Sequence, residues 1–175
     1  DQQAAAAAVV ERLVGMGHSD IAFITGSADS PTGMERLAGY REALSRQDIP
    51  VQEALIAPGK WTPACGAAAV STLLARGVSF SALIASNDDM AIGAIKQLYE
   101  SGVSVPEQVS VVGFDDIALA PYVIPSLASV KMPVTEMIQE TISRLITMVE
   151  EGEPEALPPL RGERGRGDSR KRPGV

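Results

Sequence analysis

Four short apolar runs at near-regular intervals constrain this chain more than any other feature. They are Ile21-Ala22-Phe23-Ile24-Thr25, Ala54-Leu55-Ile56-Ala57, Ala82-Leu83-Ile84-Ala85 and Val109-Ser110-Val111-Val112-Gly113, with starts 33, 28 and 27 residues apart. Each is almost continuously apolar, as in a strand covered on both faces. A strand, a helix and two loops occupy roughly 30 residues of a βαβ unit. The spacing therefore predicts an α/β fold, a doubly wound parallel sheet with right-handed crossovers.

The intervals read as helices. Met34 to Arg46 carries Leu37, Tyr40, Arg41 and Leu44 at three- and four-residue steps, and Pro63 to Arg76 carries Ala67, Val70, Leu73 and Leu74 on one stripe before Gly77. Asp89 to Ser101 aligns Met90, Ala94, Ile95 and Leu98 and stops at Gly102. Asn87 or Asp88 can cap its first turn by accepting from an orphan N–H. Pro133 to Glu151 is a longer amphipathic stretch, with Val134, Met137, Ile138, Ile142, Leu145, Ile146 and Val149 on one face and Gly152 at its stop. An alanine-rich helix over Ala4–Met16, ended by Gly17, opens the chain.

Composition excludes several classes. The chain has 175 residues, enough for one domain or one domain plus a fragment, and with 45% hydrophobic content it can build a core. Residues 1–150 hold nine Lys/Arg against seventeen Asp/Glu, whereas 151–175 hold six against five. An acidic body repels phosphate backbones and is not a nucleic-acid surface. The basic stretch at the end reads as a solvated tail. Cys65 is the only cysteine and His18 the only histidine, so an intrachain disulfide and a thiolate zinc cage are excluded. No cofactor loop is recognisable. No apolar run is long enough to span a membrane, and no leader is visible. The chain opens on Asp1 rather than Met, as a processed or interior start would.

In doubly wound sheets ligands bind outside the carboxyl ends of the strands. That rule gathers four loops, Gly26–Glu35, Pro58–Pro63, Ser86–Asp89 and Phe114–Pro121, on one edge. The edge offers Arg36, Trp61, Asn87 and Asp115 among other polar groups. This set suits a carbohydrate, since an aromatic ring packs on a sugar's C–H face while Asp, Asn and Arg pair with its hydroxyls. Each residue also has a purely structural reading. Trp61 can fill the edge of the core, Asn87 can be only a cap, and Arg36 can pair with a nearby carboxylate. Asp88 and Asp89 suit a helix first turn through the macrodipole alone. His18 reads as a capping residue and Cys65 as a packed thiol. Enzyme readings lack a nucleophile elbow, a P-loop or a dinucleotide fingerprint after any strand.

Several runs resemble a known family. Glu35-Arg36-Leu37-Ala38-Gly39-Tyr40-Arg41-Glu42-Ala43-Leu44, Ala85-Ser86-Asn87-Asp88-Asp89-Met90-Ala91-Ile92-Gly93-Ala94 and Val105-Pro106-Glu107-Gln108-Val109-Ser110-Val111-Val112-Gly113-Phe114-Asp115-Asp116-Ile117 are similar to the effector-binding domain of LacI/GalR-type bacterial transcription regulators. Gly17-His18, Tyr122, Pro125-Ser126-Leu127 and Ser129-Val130-Lys131 fit as well, so the resemblance covers roughly residues 1–152. Gly59-Lys60-Trp61-Thr62-Pro63 and the stretch from Pro133 to Glu140 resemble the branch that represses β-glucoside operons.

The resemblance implies a cytoplasmic repressor built from a helix-turn-helix headpiece, a hinge and a core of two α/β subdomains. A sugar effector would bind between the subdomains, and the core would form a homodimer. The low charge of Ala67–Leu74 and Ile92–Leu98 would leave helical surface for that dimer. By position, Arg36, Asn87 and Asp115 would be polar effector contacts and Trp61 an aromatic wall. Operator DNA would be read only by the headpiece, which this sequence lacks. The implied organisation is a helix over 1–16 from an otherwise missing N-terminal subdomain, the C-terminal subdomain over 17–130, a return to the first subdomain over 131–160, and a divergent basic tail over 161–175. The helices over 3–16 and 133–150 would then show apolar faces with no sheet beneath them. The alternating Gly and Arg of the tail are poor strand material, and Arg166-Gly167-Asp168 is a chance motif. A periplasmic-type sugar-binding protein of the same fold is the alternative.

Overall fold

The computed structural model describes residues 1–151 and 163–164. The chain runs α1 (Gln2–Gly15), β1 (Ile21–Ile24), α2 (Pro31–Arg46), β2 (Ile56–Ala57), α3 (Pro63–Ala75), β3 (Ala82–Ala85), α4 (Asp88–Glu100), β4 (Ser110–Asp115), β5 (Ala128–Lys131), α5 (Val134–Glu151) and β6 (Glu163–Arg164), with short 3-10 turns at Glu53–Leu55 and Ala120–Tyr122. The strands form one sheet in the order β2-β1-β3-β4-β5-β6. Pairings among β1 to β5 are all parallel, as the spacing of the apolar runs predicts.

Alternation along each strand divides the core between two helical layers, because successive side chains leave opposite faces. Ile21 and Phe23 of β1, Ile84 of β3, and Val112 and Phe114 of β4 pack with α1 and α2. Ala22, Ile24, Leu83, Ala85 and Val111 pack with α3 and α4. Local chemistry sets the ends of the helices. Ser30, Thr62 and Asn87 cap α2, α3 and α4, each accepting from a first-turn amide. The backbone N–H of His18 donates to the Leu13 carbonyl at 3.1 Å, consistent with a capping role, while its Nδ1 lies 2.9 Å from the Ser81 hydroxyl.

The structure corrects four expectations. Ala54 and Leu55 belong to a 3-10 turn, so the second run supplies only a two-residue strand. The buried face of α2 carries Arg36, Gly39, Tyr40, Ala43 and Leu44, while Arg41 is exposed and pairs with Glu53 at 2.8 Å. Three- and four-residue steps from Leu37 fit either face, and only contact with the sheet decides between them.

The third correction concerns α1, whose apolar face is not left without a sheet beneath it. Its Ala6, Ala7, Val9, Val10 and Leu13 are buried with α2 and the sheet. Gly39 makes this approach possible, since a Cβ there would lie 2.1 Å from the Gln3 carbonyl oxygen. The expectation for α5 stands, because Val134, Met137, Ile138, Ile142, Leu145, Ile146 and Val149 are all exposed.

The fourth correction is at the sheet's far edge. β5 lies outside the four runs, and β6 pairs with it antiparallel, Lys131 opposite Glu163 and Val130 opposite Arg164. Two residues of the predicted non-strand tail thus join the ladder. The rest of the tail over 161–175, including Arg166-Gly167-Asp168, and the stretch 152–160 with its helix stop at Gly152 lie outside the described residues.

Candidate functional site

The strand order places β1 and β3 side by side, with β2 leaving in one direction and β4 in the other. A sheet of order 2-1-3-4-5 reverses there, and the loops at the carboxyl ends part to leave a crevice. Arg36, Trp61, Asn87 and Asp115 all come to this edge, on α2 and on the loops that end β2, β3 and β4.

Arg36 is buried at 3% exposure and links the loops. Its Nε donates to Gln2 Oε1 at 2.9 Å, one terminal nitrogen donates to the Ser86 carbonyl, and the other reaches Asp115 Oδ1 at 3.4 Å. Its guanidinium carbon lies 4.4 Å from the centroid of the Phe114 ring, a cation–π contact. Burial pushes the Arg36 pKa down, and the charges of Asp115 and Asp88 oppose that shift. The structural reading of Arg36, pairing with a neighbouring carboxylate, is therefore realised. The side chain that reaches solvent from this pair is Asp115, which is 42% exposed. Burial raises the Asp115 pKa, Arg36 pulls it back, and Asp89 adds a smaller upward push.

Asn87 does two jobs. Its Oδ1 accepts from the Met90 amide at 3.0 Å, capping α4, and its Nδ2 donates to the Trp61 carbonyl at 3.1 Å. The Trp61 ring is half-buried and lies against Gly26, where any Cβ would come within 2.1 Å of it. One hydrogen bond thus joins the loop after β2 to the loop after β3, and Arg36 joins the loop after β3 to the end of β4.

The backbone marks the same place. Four non-glycine residues among those described have positive φ, and three are Trp61 at 66°, Asp115 at 105° and Asp116 at 53°. Such conformations cost roughly 1–3 kcal/mol each and persist where surrounding contacts enforce them, most often at functional sites.

Sequence reasoning missed Gln2 and the burial of Asp88. Gln2 opens α1 and reaches Arg36 only because α1 packs on α2. Asp88 stands in the first turn of α4, as the sequence suggests, and is in addition fully buried. Its Oδ1 accepts from the Ser129 hydroxyl at 2.6 Å and its Oδ2 from the Ile117 amide at 3.0 Å. Burial drives its pKa up to about 6, against the downward pull of these two hydrogen bonds. One signal was available: a glycine inside a strand often marks a close approach. A Cβ on Gly113 would lie 2.1 Å from Asp88 Oδ1. Among the described residues no cluster of His, Cys, Asp and Glu has the arrangement of a metal site, and no helix is long and apolar enough to cross a membrane.

Comparison with known proteins agrees with this fold. Residues 10–163 match the family model for a periplasmic binding protein-like domain. The chain is 65% identical over 144 residues to the HTH-type transcriptional regulator AscG of Escherichia coli (strain K12), covering 82% of this chain and 43% of that protein. It is 40% identical over 136 residues to the regulator CelR of Thermobifida fusca, covering 78% and 40% of the two chains. The chain thus spans less than half the length of these curated relatives.

Among solved structures, the E. coli repressor AscG superposes with a TM-score of 0.90 at 58% identity, covering 97% of this chain and 62% of that one. A CelR–cellobiose complex superposes with a TM-score of 0.84 at 36% identity, covering 89% and 47%. A dimeric Lac repressor gives 0.91 at 28% identity, covering 99% of this chain and 63% of that one. On these matches, and on a sheet whose order reverses between β1 and β3, the chain belongs to the periplasmic binding protein-like domain family, in the form shared by LacI-family regulators.

Proposed function

We propose that this chain is the effector-binding domain of a LacI/GalR-type transcription repressor and that its effector is a sugar of the β-glucoside class. The observation that carries the reading is the junction of Asp115, Asn87 and Trp61 over the buried Arg36 at the switch-point edge. Asp115 accepts from sugar hydroxyls, Asn87 supplies an amide, and Trp61 covers an apolar ring face. Arg36 supports Asp115 and keeps donors for an effector that displaces a protein partner. The relatives add weight, since AscG and CelR are transcriptional regulators and CelR has been solved in complex with cellobiose. The reading assigns no catalytic step and no cofactor to this domain, and places the protein in the cytoplasm. Operator DNA is contacted by a helix-turn-helix segment outside these residues, because the acidic body is unsuited to it.

The reading includes a homodimer. Of the low-charge spans Ala67–Leu74 and Ile92–Leu98, the outer faces stay available to it, while Val70, Leu73, Ile95 and Leu98 are buried in the core. Tyr99, Tyr122 and Ile124 stay at 79% exposure or more and are the better candidates.

Calorimetry with cellobiose and methyl β-glucoside on the full-length protein tests the site. Asp115→Ala leaves the buried Arg36 guanidinium without its ion-pair partner and so costs stability; circular dichroism checks that the variant is folded before binding is measured. The substitution weakens sugar binding by roughly 1.5–3 kcal/mol, the scale of a hydrogen bond to a charged group. Unchanged affinity removes Asp115 from the site. Sedimentation of the same sample checks the dimer, and a monomer at micromolar concentration argues against it.

A further inference from the structure

We propose that Asp88 is a positioning residue, whose buried carboxylate pins the turn after β4 and so holds Asp115 in place at the crevice. The proposal rests on the sugar-site reading only for the consequence of that positioning.

A helix-dipole role would explain a carboxylate at the start of α4, but it does not require burial. Burying a carboxylate is costly unless its oxygens are satisfied by hydrogen bonds. Asp88 is fully buried and both of its oxygens are engaged, one by the Ser129 hydroxyl at 2.6 Å and one by the Ile117 amide at 3.0 Å. The Ser129 hydroxyl in turn accepts from the Asp116 amide at 3.0 Å. Two successive amides of one turn therefore end on a single buried pair, with α4 supplying one member and β5 the other.

This turn needs holding. Asp115 and Asp116 both have positive φ, at 105° and 53°, and neither is a glycine. A strained pair relaxes toward ordinary backbone angles unless other contacts enforce it. Relaxation at Asp115 would swing its carboxylate away from the Arg36 guanidinium, now 3.4 Å away. The sheet is also shaped for the pin. Gly113 pairs with Ser129 across β4 and β5, and its missing side chain leaves the volume that Asp88 Oδ1 fills. Three separated positions, Gly113 on β4, Asp88 on α4 and Ser129 on β5, thus serve one turn.

The test uses the full-length protein with cellobiose as the probe. Asp88→Leu removes both acceptors while keeping the branching at Cγ, whereas Asp88→Asn keeps an acceptor for the Ile117 N–H. Hydrogen exchange is followed on peptides spanning 114–119, and cellobiose affinity is measured by calorimetry. In Asp88→Leu the turn exchanges about tenfold faster or more and affinity falls by a similar factor, the scale of a buried amide left without its acceptor. Asp88→Asn returns both to within about threefold of the parent.

Exchange that is unchanged in folded Asp88→Leu overturns the proposal. So does Asp88→Asn that is as damaging as Asp88→Leu, which would assign the effect to the helix end or the charge. If Asp88→Leu fails to fold, Ser129→Ala removes the acceptor of the Asp116 amide, and unchanged exchange there overturns the proposal equally. The exchange measurement needs no sugar. A parent that does not bind cellobiose therefore defeats the sugar reading, while exchange alone still decides whether Asp88 holds the turn.

Discussion

The helices α1 and α5 open and close the continuous described stretch, and both carry enough apolar side chains to seek a partner. In α1, Ala6, Val10 and Leu13 are at 1% exposure or less. In α5, Ile138, Ile142, Leu145 and Ile146 are each more than half exposed. The larger apolar side chains are thus on the helix that is less buried. What separates the two is fit to a neighbour. The alanines of α1 present a low surface, and Gly39 of α2 leaves room for its backbone to come close. Close approach lets small side chains bury completely, so alanine-rich helices pack well where a larger one would be held off. For α5 no described neighbour covers its apolar stripe. An amphipathic period states that a face is available for burial, and the rest of the structure decides whether anything is there to bury it.

The largest expected effect that tests this contrast is at Leu13. Leu13→Ala should destabilise the chain by about 2–5 kcal/mol, the range for a fully buried leucine, measured by urea unfolding. A cost near zero would return α1 to the status of an unsupported helix.

A smaller effect is expected where α2 meets β1. The Tyr40 hydroxyl donates to the Ile21 carbonyl at 2.8 Å, and burial pushes its pKa up to about 12. The folded pKa lies above the unfolded value near 10, so the neutral phenol's contribution is complete below about pH 10. It is lost as the pH rises toward about 12. Tyr40→Phe should cost about 1 kcal/mol at neutral pH. It should also flatten the alkaline decline, which is followed by unfolding at a series of pH values. An equal alkaline slope in the variant would show that Tyr40 ionises as freely folded as unfolded.

The smallest effect is expected on α5. Leu145→Ala should change stability by less than about 0.5 kcal/mol, as at other exposed positions. A loss comparable to that of Leu13→Ala would mean that α5 is covered in solution, and sedimentation would show whether a second copy covers it.

Much of the candidate site was legible before the fold. Asn87 stands before a periodic helix, and Asp115 follows an apolar strand, so their loops fall on the ligand-bearing edge once the sheet is known to be parallel. Arg36 was legible as a residue but not as a buried link. Its neighbours Gln2, Ser86 and Asp115 lie 34, 50 and 79 residues away along the chain. Asp88 was read from its place in the helix, which is local. Its burial comes from Gly113 and Ser129 on two other elements, and only the glycine inside a strand hinted at it.

By itself, the sequence determined the element types, the parallel sense of the sheet and a cap at Asn87 or Asp88, which the structure gives to Asn87. These depend on interactions within a few residues or on a hydrophobic period of two or 3.6. The tertiary structure decided the strand order, the face of α2 that turns inward, the burial of α1 but not α5, and the joining of Asp88, Ser129, Arg36 and Asp115 around one turn. Those outcomes depend on which distant surfaces meet, and a local apolar pattern that fits several partners equally well carries no record of which one it finds.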